Sequence, residues 1–251
     1  MNDILARTLI LIPACNEEAS LPALLAGIRQ VAPLTDIVVI NDCSRDRTAA
    51  VARNAGAAVL DLPCNLGVGG AIQAGFRYAL GKGYSCVLRR DGDGQHPPSE
   101  IPKLAAAMEA GQGDLIVGSR FLAAADGAYT STVWRSAGIR ALALLLSAIC
   151  RARVTDPTSG FQMLNRPLLS CFAQAYPVDY PEPESLALLR RQGYSFHEVP
   201  VAFRPRQGGT SSIRSWGATY YLLKVCLALL VDRARTVDPR LARHNTVLES
   251  P

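Results

Sequence analysis

Between residues 8 and 121 the chain alternates five short apolar runs with four longer segments whose apolar positions fall at helical spacing. The runs are TLILIPA (8–14), DIVVIND (36–42), AAVLDL (57–62), SCVLRRD (85–91) and DLIVGSRF (114–121). The segments between them are NEEASLPALLAGIRQV (16–31), DRTAAVARNAG (46–56), GGAIQAGFRYALGKG (69–83) and SEIPKLAAAMEAG (99–111), the last opening on Ser99 as an N-cap. Strands alternating with helices of this length predict right-handed βαβ units. The fold class is therefore α/β, a mostly parallel central sheet flanked by helices. After residue 121 the rhythm changes. An apolar helix is predicted over 133–150, a turn and strand over TDPTSGFQMLNR (155–166), a helix over 181–193 and a strand over 195–206. A Gly/Ser loop (207–212) then precedes a last apolar helix. The predicted organisation is one body over 1–215, an apolar and basic C-terminal helix over 216–240, and a flexible tail over 241–251.

The polar residues concentrate where the strands end: CNEE, NDCSRD, CNLG, DGDGQH and SRF each follow an apolar run. Parallel sheets bind ligands beyond those carboxyl ends. The most charged of the five is RRDGDGQHPP (89–98). In an extended segment Asp91 and Asp93 point the same way, with Gln95 continuing the line. Two carboxylates plus substrate phosphates are a common Mg²⁺ ligand set. A D-x-D alone is weak, because acidic turns are common. Other readings fail on spacing. An EF-hand counted from Asp91 needs Gly and Glu where His96 and Pro102 stand. A D-x-D-x-T/V phosphatase site is broken by Gln95. The first strand–helix turn carries no glycine for a dinucleotide fingerprint. Arg89 and Arg90 point to opposite faces of their strand, so at most one faces a ligand. His96, ahead of two prolines, reads as a turn residue.

Composition changes this picture in three places. At 49% apolar residues the chain has enough to fill a core of this size. Residues 1–200 hold 18 Lys/Arg and 18 Asp/Glu, whereas 201–251 hold 8 and 3, so the whole net charge of +5 sits in the last fifth. That is either a solvated basic tail or a surface for an anionic partner. The seven cysteines form no C-x-x-C, which fits a reducing compartment, and most read as small buried apolar residues. The apolar stretches 137–150 and 216–231 contain Arg140 and Lys224 and fall short of the roughly 20 residues a span needs. Each is either core-packed or interfacial; Arg233 and Arg235 suit the second to an anionic surface. The first residues carry no signal-peptide pattern.

IPACNEEASL, VVINDCSRDRT, NLGVGGAIQAGFRYA, DGDGQHPP, DLIVGSRF, DPTSGFQMLNR and EVPVAFRPRQGGTSS occur in this order over about residues 8–215. Together they resemble family 2 glycosyltransferases, and within them the polyprenol-phosphate sugar transferases. The resemblance implies a GT-A fold, a Rossmann-like nucleotide-sugar layer joined to an acceptor-binding half. It implies that Pro13, Ala14, Asn16, Glu17, Asp42 and Asp46 line the nucleoside site. It puts a Mg²⁺ or Mn²⁺ on Asp91 and Asp93, with Gln95 as a further ligand, bridging the donor diphosphate. Arg120, Arg135 and Arg206 resemble the residues holding diphosphate and acceptor phosphate. Ser159 and Gly160 match a turn near the sugar, and Glu184 is an acceptor-side candidate beside Glu182. Cys15 stands where the family usually has an aromatic residue, and Asn41 and Cys43 replace Asp and Gly of its usual D-D-G-S loop.

The expected reaction is an inverting, metal-dependent transfer from a nucleotide-diphospho sugar to a polyprenyl phosphate. A phosphate monoester has its second pKa at roughly 6 and needs cations more than a base, whereas a sugar hydroxyl normally needs a positioned carboxylate. The alternatives are transfer to a saccharide hydroxyl, with Glu182, Glu184 or Asp156 as base, and an inactive nucleotide-sugar-binding partner. The expected setting is cytoplasmic, peripheral on the inner face of the membrane, with a separate small membrane protein as one anchor. No nucleic acid partner is expected, and self-association is left open.

Overall fold

The computed structural model describes residues 2–122, 133–203, 224–229, 231 and 236–243, with the side chains of residue 2 and residues 133–136 excluded. Its elements in chain order are α1 (Asn2–Ala6), β1 (Thr8–Ala14), α2 (Leu21–Val31), β2 (Asp36–Asn41), α3 (Thr48–Asn54), β3 (Ala58–Asp61), α4 (Gly67–Gly81) and β4 (Cys86–Arg89). There follow a 3-10 turn (Pro98–Glu100), α5 (Ile101–Glu109), β5 (Leu115–Ser119), α6 (Val133–Cys150), β6 (Gln162–Asn165), α7 (Arg166–Gln174), α8 (Pro181–Arg191) and β7 (Phe196–Pro200).

The seven strands form one sheet in the order β3-β2-β1-β4-β6-β5-β7. All neighbours are parallel except β6, which runs antiparallel to both β4 and β5. Alternation along β1 explains the two layers of core. Leu9 and Leu11 face one cluster with Ile72 and Phe76 of α4, Leu146 of α6, Phe172 of α7 and Leu189 of α8. Ile10 and Ile12 face the other, with Leu25 of α2 and Leu104 of α5. β1 is buried at six of seven positions because helices cover both its faces. Gly75 lets α4 lie close on the sheet: a Cβ there would sit 2.2 Å from a methyl of Leu11.

Several local expectations shift. Residues 16–20 are not helical, so α2 begins at Leu21 rather than 16. Ser99 lies inside the 3-10 turn and is not the cap of α5, which starts at Ile101 with Pro102 in its first turn. Helix α7 was not expected. Asn165 caps it by accepting the Leu168 N–H, and Pro167 occupies its first turn. Of the predicted C-terminal helix, 224–229 is helical; Val225 and Leu229 are buried in the core while Leu227 is exposed. Leu241 is buried and the Arg243 N–H bonds to the Gln192 carbonyl, so docking continues into the segment expected as a free tail. Among the described residues no helix is long and apolar enough to cross a membrane.

Candidate active site

The loops that leave β1, β2 and β3 are clipped to one another. Asn16 sits at φ 59°, a left-handed conformation that asparagine tolerates better than most residues. Its N–H donates to Ser44 Oγ at 3.0 Å, and its Oδ1 accepts the Arg45 N–H at 2.8 Å. The Glu17 N–H donates to Thr48 Oγ1 at 2.8 Å, and the Glu18 N–H to Asp46 Oδ2 at 3.1 Å. Asp42, buried, takes the Leu66 N–H on Oδ1 at 2.7 Å and donates its own N–H to the Ala14 carbonyl. Burial pulls the Asp46 carboxyl up, but hydrogen bonds from Thr48 and Glu18 outweigh it and hold it below its ordinary value. Cys15, Cys43 and Cys64 lie just past these strand ends and are exposed, contrary to the expectation that most cysteines are buried; Cys86, Cys150 and Cys171 are.

The D-x-D stretch lies beside these loops. It is not extended. The chain turns immediately after β4, with Gly94 at φ +75°, so the alternation argument does not aim the two carboxylates. Gly92 packs where a Cβ would lie 3.4 Å from the Pro13 carbonyl oxygen and 3.5 Å from Glu17 Cγ. Asp93 is buried and accepts the Gln95 N–H at 3.1 Å; Gln95 is half-buried. The Asp91 side chain keeps 37% of its surface open. On its other side stands Gly160, where a Cβ would come within 2.5 Å of Asp91 Oδ2. Only glycine leaves that carboxylate in place. Ser159 is held next to it by its hydroxyl on the Gly118 carbonyl, 2.6 Å.

A second group of charges lies under this turn. Arg120, Nε and Nη2, pairs with both oxygens of Asp156 at 2.7 and 2.6 Å and reaches Thr158 Oγ1 at 2.6 Å. Asp156 is fully buried. Glu198 of β7 accepts the N–H groups of Thr155 and Asp156. Arg120 thus holds the 156–158 turn; the resemblance also implied a phosphate contact for it. Arg135 lies in α6, but its side chain, like all of Arg206, is outside the described residues. Glu184 is half-buried in the first turn of α8, two residues beyond Glu182.

Arg89 and Arg90 are both fully buried, on opposite sides of the sheet. Arg89 bonds to Glu182 and lies 3.6 Å from Asp91 Oδ1. Burial would lower its pKa, but Tyr176, Glu182 and Asp91 raise it above the ordinary value. Arg90 bonds to the His96 carbonyl, and burial lowers it to about 10, so it stays charged near neutrality. His96 lies at a bend, as expected, and is buried there, stacked on Phe161 at 5.0 Å with Phe203 edge-on at 4.5 Å. Burial, then Arg90, pushes its pKa down to about 3, and it is neutral. The pairs Arg89–Glu182 and Arg120–Asp156 were not legible from spacing, because their partners lie 93 and 36 residues apart.

Oxygen donors gathered at the C-terminal edge of a mixed sheet, around a half-open carboxylate, suit a nucleotide-linked substrate. The profile of glycosyl transferase family 2 matches residues 9–172. The chain is a family 2 glycosyltransferase. This glycosyltransferase is 30% identical over 250 residues to the polyprenol monophosphomannose synthase of Mycolicibacterium smegmatis, covering 92% of this chain and 91% of that one. It is 30% identical over 227 residues to the undecaprenyl-phosphate mannosyltransferase of Micrococcus luteus, covering 82% and 87%. In fold it resembles the glucosyl-3-phosphoglycerate synthase of Mycobacterium tuberculosis, solved with Mn²⁺, uridine-diphosphate-glucose and phosphoglyceric acid. There the TM-score is 0.70 at 20% identity, over 94% of this chain and 84% of that one. The GT-A arrangement expected from the sequence is the one observed.

Proposed function

We propose that this glycosyltransferase moves a sugar from a nucleotide-diphospho sugar to a polyprenyl phosphate, with inversion at the anomeric carbon and a divalent cation at the D-x-D turn. The observation that carries the reading is the approach of Gly160 to Asp91: a half-open carboxylate faces a glycine, where any Cβ would displace it, at the strand edge where the clipped loops converge. The acceptor follows from the relatives. By name, one of the bacterial proteins above makes polyprenol monophosphomannose and the other is an undecaprenyl-phosphate mannosyltransferase. The donor set also fits a hard cation, since Asp91 and Asp93 supply carboxylate oxygens and Gln95 an amide oxygen. Mg²⁺ or Mn²⁺ held there would offset the negative charge that builds on the departing diphosphate.

In this reading Pro13, Ala14, Asn16, Glu17, Asp42 and Asp46 hold the nucleoside, and Ser159 and Gly160 face the sugar. Arg120 holds the 156–160 turn through Asp156 and Thr158. Arg120, Arg135 and Arg206 are the cations assigned to phosphate, and Glu184 is assigned to the acceptor side. The ionised acceptor phosphate attacks C1 opposite the leaving group, so no strong base is needed. The catalytic body is taken as 1–215. The 216–240 segment rests on the inner face of the membrane, alone or with a small anchor protein, and exposed Leu227 and Val231 beside Lys224 support that placement.

The test is incubation of the enzyme with labelled nucleotide sugars, undecaprenyl phosphate and Mg²⁺ or Mn²⁺, followed by lipid extraction. Labelled lipid of inverted anomeric configuration is expected. Label transferred only to water-soluble product would overturn the acceptor assignment, and undiminished transfer in EDTA would overturn the cation.

A further inference from the structure

We propose that Arg89 and Glu182 form a strut through which helix α8 sets the position and charge of Asp91, making Arg89 a positioning residue for the cation and diphosphate site. The inference rests on the cation reading above and extends it to two residues outside the D-x-D.

Arg89 is the last residue of β4 and is fully buried, so its guanidinium cannot exchange protein partners for water. Three groups surround it. Nη2 bonds to Glu182 Oε1 and lies 3.6 Å from Asp91 Oδ1, and Nη1 donates to Tyr176 Oη at 3.2 Å. Tyr176 is itself fixed, edge-on to Phe76 at 5.1 Å and to Phe172 at 5.0 Å. One cation is thus shared by two carboxylates, and its far side is anchored in the core. Glu182 holds the shorter contact and Asp91 the longer. That division leaves Asp91 only partly compensated, which is the state a metal ligand needs. Arg90 cannot take over, because its side chain leaves the other face of the strand and is bonded to the His96 carbonyl.

The arrangement has a directional consequence. With Glu182 neutralised, the guanidinium has one carboxylate left and moves onto Asp91, where it competes with a cation. With Arg89 also removed, the competitor is gone and cation affinity returns. A pair that merely supports the fold also loses less as a double variant than as a single one, since no buried charge is left unpaired, but its loss is read in urea stability and leaves the Mn²⁺ affinity of the folded chain unchanged.

The experiment is a Mn²⁺ titration of the full chain with UDP and, separately, GDP present, following bound Mn²⁺ by electron paramagnetic resonance. The proteins are wild type, Asp91→Asn, Glu182→Gln, Arg89→Met and the double variant Arg89→Met/Glu182→Gln, each checked for folding by circular dichroism. Glu182→Gln should weaken Mn²⁺ binding about tenfold, between the strength of a charge contact in bulk water and that of one near a protein surface. The double variant should recover to within about threefold of wild type. Arg89→Met alone leaves Glu182 unpaired and is the variant most exposed to misfolding; the other three decide the matter without it. Unchanged affinity in Glu182→Gln, or a double variant as weak as Glu182→Gln, overturns the strut. Wild type that binds no Mn²⁺, or that keeps its binding in Asp91→Asn, overturns the cation reading itself, and the strut with it.

Discussion

The two flanks of the site are built from different chemistry. On the flank formed after β1, β2 and β3, the loops are joined by hydrogen bonds and one exposed ion pair, Arg47–Glu18, many of them at exposed positions, such as Asn16 to Ser44 and Arg45. On the flank before β6, the turn at 156–160 is held by a buried, two-pronged ion pair, Arg120–Asp156, supported by Glu198. An exchanged hydrogen bond contributes about 0.5–1.5 kcal/mol, whereas breaking a buried ion pair costs about 3–5 kcal/mol. The first flank therefore yields bond by bond, and the second holds or fails as a unit. In the function proposed above, the soft flank would serve nucleotide entry and the stiff one the aim of the sugar.

The sharpest break of that contrast is Asp156→Asn. It removes the carboxylate charge that pairs with two nitrogens of buried Arg120, and unfolding stability in urea should fall by about 3–5 kcal/mol. A loss below about 1 kcal/mol would mean that the stiff flank is no stiffer than the other. Next is Gly160→Ala. Its Cβ displaces the Asp91 carboxylate, and kcat/KM should fall about 10–100-fold while the melting temperature stays close to wild type. Asn165→Ala removes the cap of α7, behind the stiff flank, and should cost about 1 kcal/mol in the same urea assay.

The smallest effect belongs to the soft flank. Asp46 has its pKa held below the ordinary 3.8, so its clip to Thr48 and Glu18 contributes fully above that pH and is lost as pH falls through the lower, folded value. The stability difference between wild type and Asp46→Asn should therefore shrink on acidification below about pH 4. A difference that grows instead would reverse the sign assigned here.

The βαβ rhythm and the polar strand ends were legible because burial on both faces forces apolar runs, and ligands meet parallel sheets at one edge. The D-x-D stretch was legible as chemistry but not as shape, since Gly92 and Gly94 turn the chain where alternation assumed extension. Helix α7 carried a readable signal, Asn165 followed by Pro167 and then Leu168, Leu169 and Phe172, but it starts with no loop after a four-residue strand. The pairing of Arg89 with Glu182 had no local signal. It exists only because β4 and the start of α8 meet in three dimensions, and no spacing rule reaches across 93 residues.

The single reversed strand has a geometric consequence. Parallel strands offer this edge the loops by which they leave the sheet; β6 offers the loop by which it enters. Gly160 is therefore placed by counting backward from a fixed pairing, Arg89 with Gln162. Deleting one residue between 157 and 159 takes up slack ahead of that count, whereas a one-residue slip of β6 replaces Gly160 opposite Asp91 with Ser159 or Phe161. Strand register here acts as a ruler for the place of Gly160 beside Asp91, and its graduation is a single amino acid.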